Sequence, residues 1–196
     1  MSSPLVSPDA QKATLRAAAL AARDALNGEL RAAAAQAVAA RGLPFELAPG
    51  AVVAGYSPIR SEIDPLPLMR GLAAQRAQLA LPLIVARDQP LQFRVWAPGN
   101  ALRRGPLGIL EPPFDAGEII PDILLVPLAA FDRAGHRIGY GAGHYDRTLA
   151  QLRAARKITA IGLAFAAQEI PYAAGSARDA RLDLVLTENE TIEFRS

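Results

Sequence analysis

The chain has no cysteine among its 196 residues, so disulfides, thiolate metal sites and cysteine nucleophiles are excluded. It also has no long apolar run: no stretch approaches the roughly eighteen uninterrupted apolar residues that span a bilayer. The first residues, MSSPLVSPDAQKATLR, hold no apolar h-region. The expectation is a cytoplasmic protein with no membrane partner. Charge of one sign is scarce as well, because 21 Lys plus Arg against 19 Asp plus Glu leave a formal charge of +2. So small a balance argues against a nucleic-acid partner. Lysine itself is rare. Only Lys12 and Lys157 are lysine, the other cations are arginine, and arginines gathered in one place can hold a phosphorylated ligand. No internal repeat and no linker divides the chain, which is expected to form one domain over residues 1–196 and to bury roughly 70% of its unfolded surface.

Two alanine-rich helices open the sequence. The first is expected to start with Ser7 as N-cap and Pro8 at the first helical position, and to continue to about Leu26. Leu15, Ala19, Ala22 and Leu26 share one stripe of it, and Lys12, Arg16 and Arg23 fall within roughly 40° of one another beside that stripe. This cationic edge is either a solvated helix face or part of a site. The second helix is expected over Glu29–Arg41, stopped by Gly42 in a left-handed conformation. Five apolar runs then read as buried strands: AVVAGY (51–56), LALPLIV (79–85), ILLVPL (123–128), TAIGLAF (159–165) and LDLVLT (182–187). Helix-length segments near 64–78 and 144–156 separate several of them. The alternation predicts an α/β fold with a mostly parallel central sheet and helices on both faces. Residues 87–122, dense in Pro and Gly, interrupt the rhythm as a long excursion with one strand, FRVW.

The segment GHRIGYGAGHYDRTLAQLR (135–153) places Gly139, Gly141 and Gly143 just before a helix. It lacks the Gly-Lys-Ser/Thr ending of a P-loop and the GxGxxG spacing of a dinucleotide fingerprint. What remains is general: glycine N–H groups can approach an anion, and the helix N-terminus adds free donors and a positive dipole end. A tight turn that packs helix on sheet is the alternative. Asp146, one turn into the helix, would suit Mg2+ through oxygen ligands, or would simply complement the helix dipole. Tyr140 and Tyr145 can stack on a ring or pack. Glu62 follows the strand ending at Ser57, where α/β folds place ligands, and serves either as an acceptor for a ligand or as a cap for the helix near Asp64.

These residues carry a family resemblance. AFDRAGHRIGYGAGHYDRTL resembles the signature of the 5-formyltetrahydrofolate cyclo-ligase (methenyltetrahydrofolate synthetase) family, near FDxxGxRLGxGKGYYDxxL. KATLR (12–16) looks like the family's KxxLR, SEID around Glu62 like its xEID, and GILEP (108–112) like its G-I-x-E-P. IGLAFAAQEIP followed by RDARLDLVLTE looks like its closing stretch, so the likeness extends over almost the whole chain.

The resemblance implies a fold similar to ribose-phosphate isomerase and CoA-transferase domains. It implies ATP-dependent, Mg2+-dependent closure of 5-formyltetrahydrofolate to 5,10-methenyltetrahydrofolate, by a monomer acting on small molecules. On the same basis Lys12, Arg16, Gly139, Tyr140, Gly141, Ala142, Gly143 and His144 are expected at ATP. Ser57, Glu62, Tyr140 and Tyr145 are expected at the folate, Arg137, Tyr145 and Asp146 at the chemistry, and Asp146 and Asp179 at the metal. Two departures stand out: the family's lysine within GKG is Ala142, and its first tyrosine is His144. Either Arg16, Arg23 or Arg137 makes up the missing charge or turnover is weaker, and Ala142 keeps open a rival reading, a diverged, non-catalytic binder of nucleotide or folate. Arg178 stands where the family often has histidine. His136, Arg103 and Arg104 are read as turn and loop residues without a role, Glu111 as a loop-ordering acid, and Trp96 and Phe131 as walls of an aromatic pocket or core.

Overall fold

The computed structural model describes residues 8–173 and 179–194, so the expected cap Ser7 and Arg178 lie outside the described residues. The helices are α1 (Pro8–Asp24), α2 (Gly28–Arg41), α3 (Leu66–Ala74) and α4 (His144–Ala155). The strands are β1 (Val52–Ala54), β2 (Gln78–Leu83), β3 (Gln92–Val95), β4 (Arg103–Arg104), β5 (Leu110–Glu111), β6 (Ile123–Pro127), β7 (Ala130–Phe131), β8 (Arg137–Ile138), β9 (Thr159–Leu163), β10 (Leu184–Leu186) and β11 (Thr191–Glu193).

One sheet of seven strands runs in the order β11-β10-β9-β6-β1-β2-β3. The five apolar runs form its interior, β10, β9, β6, β1 and β2, all mutually parallel. Strands buried on both faces need apolar side chains throughout, which is why these segments lack an alternating pattern. The edges β3 and β11 are antiparallel additions. FRVW supplies β3. β11 was not anticipated, because its three residues offer one buried apolar side chain, Ile192, and no readable period.

Helices α2 and α3 cover one face, packing Val38, Leu68 and Leu72 against Val53, Leu79 and Leu125. Helix α4 covers the other, with Leu149 against Leu124, Val126 and Ala160. Local signals set the ends of α2. Asn27 caps its start by accepting from Leu30 N–H at 2.8 Å, and Gly42 (φ 69°) ends it. Helix α3 is shorter than the expected 64–78 because Gln78 already pairs with Val52 in the sheet.

Helix α1 departs from its expected orientation. Ala22, assigned to the apolar stripe, is exposed, whereas Arg23 is 1% exposed and Ala19 4%. Leu26 lies beyond the helix end and packs against the first core cluster. Exposing an alanine methyl costs little, and a guanidinium can be buried where hydroxyl and carbonyl acceptors receive its hydrogens. The inward face therefore keeps Leu15 and Ala19 of the expected stripe but takes Arg23 in place of Ala22, with Lys12 and Arg16 partly buried beside it.

The chain order creates a switch point between β1 and β6. From β1 the chain passes through α3 to β2 on one side; from β6 it passes through α4 to β9 on the other. The loops after the two strands diverge there, and the crevice between such diverging loops is the usual place for a ligand in open α/β sheets.

Candidate functional site

The loop after β1 carries Ser57, Ser61 and Glu62; the segment after β6 forms the β7–β8 hairpin and then the glycine loop 139–143. The hairpin owes its shape to Asp132, 2% exposed. One carboxylate oxygen accepts the N–H groups of Ala134 (2.9 Å) and His136 (3.0 Å), and the other accepts Ala173 N–H (3.0 Å) and faces His136 Nδ1 (3.1 Å). Burial alone would raise this carboxyl's pKa, but these donors outweigh it and hold the pKa below the ordinary aspartate value. The turn returns the chain so that Arg137 and Ile138 are buried immediately before the loop.

Three cations of α1 reach toward the crevice. Lys12 Nζ lies 2.5 Å from Asp179 Oδ2, Arg16 Nε donates to the Gly139 carbonyl at 2.7 Å, and Arg23 donates to the hydroxyls of Ser61 (2.9 Å) and Tyr140. Arg137 donates to Asp146 Oδ1 at 2.7 Å and to the Ala180 carbonyl, and Ala180 N–H reaches the same Asp146 oxygen at 3.1 Å. Burial lowers the Arg137 pKa, and Asp146 and Asp179 act against that shift. Asp146 and Asp179 are thus brought together. Asp146 Oδ2 carries no hydrogen bond from the described residues, and no cluster of three or more acid or histidine ligands occurs among them. A divalent cation that keeps its waters and shares phosphate oxygens needs only one or two carboxylates, so this donor set suits Mg2+ held together with a phosphorylated ligand.

The glycine loop is open. Gly141 (φ 94°) and Gly143 (φ 68°) hold left-handed backbone, and Gly143 is the residue at which α4 begins. A Cβ on Gly139 would meet nothing within 4 Å. His144 is 9% exposed and turned away, with Nδ1 3.1 Å from the Gln89 carbonyl. Since a carbonyl only accepts, Nδ1 carries the hydrogen, and what His144 offers the loop is its backbone N–H. Over Ala142 lies a cation the sequence reading passed over. Arg147 donates to the carbonyls of Ala142 (2.7 Å) and Arg87 (3.0 Å), with its guanidinium against Gly143. Helical side chains lean toward the N-terminus, so a residue four places after Gly143 returns to it. That offset is the signal that would have found it.

Tyr56, Tyr140 and Tyr145 surround Glu62, and burial together with that carboxylate raises the pKa of all three hydroxyls. Glu62 Oε2 accepts Ile59 N–H at 2.8 Å. Helix α3 follows Pro65 without a side-chain cap, and the carboxylate that accepts Leu66 N–H, at 2.9 Å, is Asp64, so the alternative of Glu62 as a helix cap is corrected. Ser57 is partly exposed on the same loop. Phe131 is fully buried core and not pocket wall, while Trp96 is 8% exposed in the first core cluster. Arg103 is no free loop charge: it pairs with buried Glu111 at 2.5 Å and stacks 3.7 Å from the Phe114 ring centroid. Glu111 orders the excursion, also accepting Ile84 N–H at 3.2 Å.

Fold and site together define a doubly wound α/β protein with a cation-lined, glycine-looped crevice at its switch point. The family profile described as the 5-formyltetrahydrofolate cyclo-ligase family matches residues 8–188, and the chain belongs to that family. It is 32% identical over 123 residues to the 5-formyltetrahydrofolate cyclo-ligase of Haemophilus influenzae, covering 60% of this chain and 65% of that protein. To that of Mycolicibacterium smegmatis it is 38% identical over 122 residues, 57% of this chain and 61% of that protein. These alignments span just under two thirds of the curated relatives' length. The solved structure of Aquifex aeolicus 5,10-methenyltetrahydrofolate synthetase superposes with a TM-score of 0.78 at 30% identity, covering 94% of this chain and 93% of that one. The Mycoplasma pneumoniae 5,10-methenyltetrahydrofolate synthetase shares the fold, with a TM-score of 0.70 at 22% identity, covering 90% of this chain and 98% of that one.

Proposed function

We propose that the chain catalyses the ATP-dependent ring closure of 5-formyltetrahydrofolate to 5,10-methenyltetrahydrofolate, releasing ADP and phosphate. Family membership supports this reading, and one structural observation carries it: cations of α1 meet both loops that flank the switch point, Arg23 at Ser61 and Tyr140 and Arg16 at Gly139. We take it to act as a single domain and a monomer, on small molecules, in the cytoplasm.

A formamide is a poor electrophile because its nitrogen donates into the carbonyl. Transfer of the ATP γ-phosphoryl group to the formyl oxygen converts that oxygen into part of a leaving group. The N10 lone pair then attacks the formyl carbon, the C–O bond breaks, phosphate departs and the N10 proton is released. Such transfer requires positioning and charge neutralisation, not a protein nucleophile. In this reading the N–H groups of residues 139–144, with Lys12 and Arg16, hold the triphosphate. Glu62 accepts hydrogens from the folate, with Ser57, Tyr140 and Tyr145 around it. Arg137 orients the Asp146 carboxylate at the reacting phosphate. Mg2+ supplies neutralisation of phosphate charge, and Asp146 and Asp179 are the residues that would hold it.

Purified protein mixed with 5-formyltetrahydrofolate and Mg-ATP should develop the methenyl absorbance. A flat trace from folded protein that still binds both compounds refutes catalysis and favours the non-catalytic binder that Ala142 suggests.

A further inference from the structure

Arg23 is among the largest fully buried side chains of the chain, at 1% exposure, and it touches both walls of the crevice. Its Nε–H goes to Ser61 Oγ at 2.9 Å, beside Glu62, and an NH1 hydrogen goes to the Tyr140 hydroxyl in the glycine loop. The guanidinium carbon lies 5.7 Å from the Tyr140 ring centroid. Guanidinium has donors and no acceptor, so the direction of every bond leaving it is fixed. The Ser61 oxygen accepts and passes its own hydrogen to Asp24 Oδ1. The Tyr140 oxygen likewise accepts, which leaves its hydrogen for the facing acceptor, the Glu62 carboxylate.

We propose that Arg23 is a positioning residue: by holding the Tyr140 oxygen as an acceptor it turns that hydroxyl's hydrogen toward Glu62, and so holds the Glu62 carboxylate in place to accept from the N–H groups of the bound heterocycle. The ligand half of the proposal rests on the folate reading above; the orientation of Glu62 does not. Burial pushes the Glu62 carboxyl up, and Ile59 N–H, Tyr140, Arg23 and Arg60 oppose that push. The groups around this carboxylate are Arg23 from α1, Tyr56, Arg60 and Asp64 from its own segment, and Tyr140 and Tyr145 from the loop and α4, with Arg137 close to Tyr145. Arg23 is the buried cation among them that also holds the intervening hydroxyl.

The test is a carbon-13 NMR titration of the Glu62 carboxyl in the full chain without ligand. Arg23→Gln should raise its pKa by about one unit, the scale of a nearby opposite charge, and Arg23→Lys should restore most of the difference. Tyr140→Phe keeps the ring and removes the relaying hydroxyl at a position 36% exposed, and should raise the pKa in the same direction even if Arg23→Gln does not fold. In calorimetry, the acidic limb of 5-formyltetrahydrofolate affinity should move up by the same amount in each variant. An unmoved Glu62 titration in the folded variants overturns the proposal. A shifted titration in a protein that binds no folate at all upholds the orientation of Glu62 and refutes the substrate reading.

Discussion

Asp132→Asn tests whether the buried carboxylate of the β7–β8 turn builds the site. Asparagine keeps the shape but can present only one oxygen. If that oxygen stays toward Ala134 and His136, the amide NH2 meets Ala173 N–H donor to donor, while His136 Nδ1 must switch to the tautomer that accepts. Hydrogen bonds to charged groups contribute about 1.5–3 kcal/mol each, and an orphaned buried N–H costs about 1–3 kcal/mol. A net loss of about 3 kcal/mol is expected at pH 7. For a chain of this size that corresponds to roughly 6–12 °C in Tm. The pH dependence has a definite sign. The folded carboxyl is depressed below its unfolded value of about 3.9, so its stabilisation is present above that pH and is lost as pH falls through the folded pKa. The gap between parent and variant in thermal unfolding should therefore be constant from pH 5 to 8 and narrow below about pH 4. A gap under about 0.5 kcal/mol at pH 7, within the usual range for surface changes, or one that persists unchanged under acid, refutes the reasoning.

Gly139→Ala should leave Tm within about 2 °C, since its Cβ has open space, while weakening ATP binding tenfold or more by filling the loop; unchanged affinity by calorimetry would remove the loop from the nucleotide site. Gly162→Ala should do the opposite: its Cβ would sit 2.8 Å from Leu128 and Leu182 and 2.9 Å from Val185, costing about 1–3 kcal/mol in denaturant unfolding, and a neutral result would mean the core there can yield. Lys12→Ala and Arg16→Ala should raise the KM for ATP several-fold with folding intact, and ATP affinity unchanged in both variants would take α1 out of the site.

The central strands were legible because burial on both faces demands an uninterrupted apolar run, and alanine-rich sequence closed by Gly42 announced α2, although its cap Asn27 went unread. The orientation of α1 was not. Hydropathy ranks alanine above arginine and so turned Ala22 inward, whereas the deciding quantity was the supply of acceptors: Ser61, Tyr140 and the Gly139 carbonyl all come from segments far away in sequence. The same blindness hid Arg103, whose partner Glu111 is eight residues on but meets it only once the β4–β5 ladder forms. Composition shows that arginines exist; long-range pairing shows which of them are buried.

At Ala142 the charge of the family's lysine is missing, and it is weighed against the charges the fold supplies there. Arg23 is committed to Tyr140 and Ser61, Arg137 to Asp146, and Arg16 has its Nε on a carbonyl, so none of the three stands over Ala142. Arg147 does, through the Ala142 carbonyl itself. A guanidinium placed at a helix N-terminus opposes the helix dipole, an arrangement that becomes favourable once an anion sits between them. If the loop holds phosphate, restoring lysine by Ala142→Lys adds a second cation beside one already present and should raise ATP affinity by no more than about tenfold, or about 1.4 kcal/mol. Arg147→Ala should cost more than Ala142→Lys gains, and the double variant Arg147→Ala with Ala142→Lys should recover part of the loss. Calorimetric titration with Mg-ATP reads all three. A hundredfold gain from Ala142→Lys alone, with Arg147→Ala silent, would mean that the arginine only braces the loop and that the phosphate site lacks a cation at this corner.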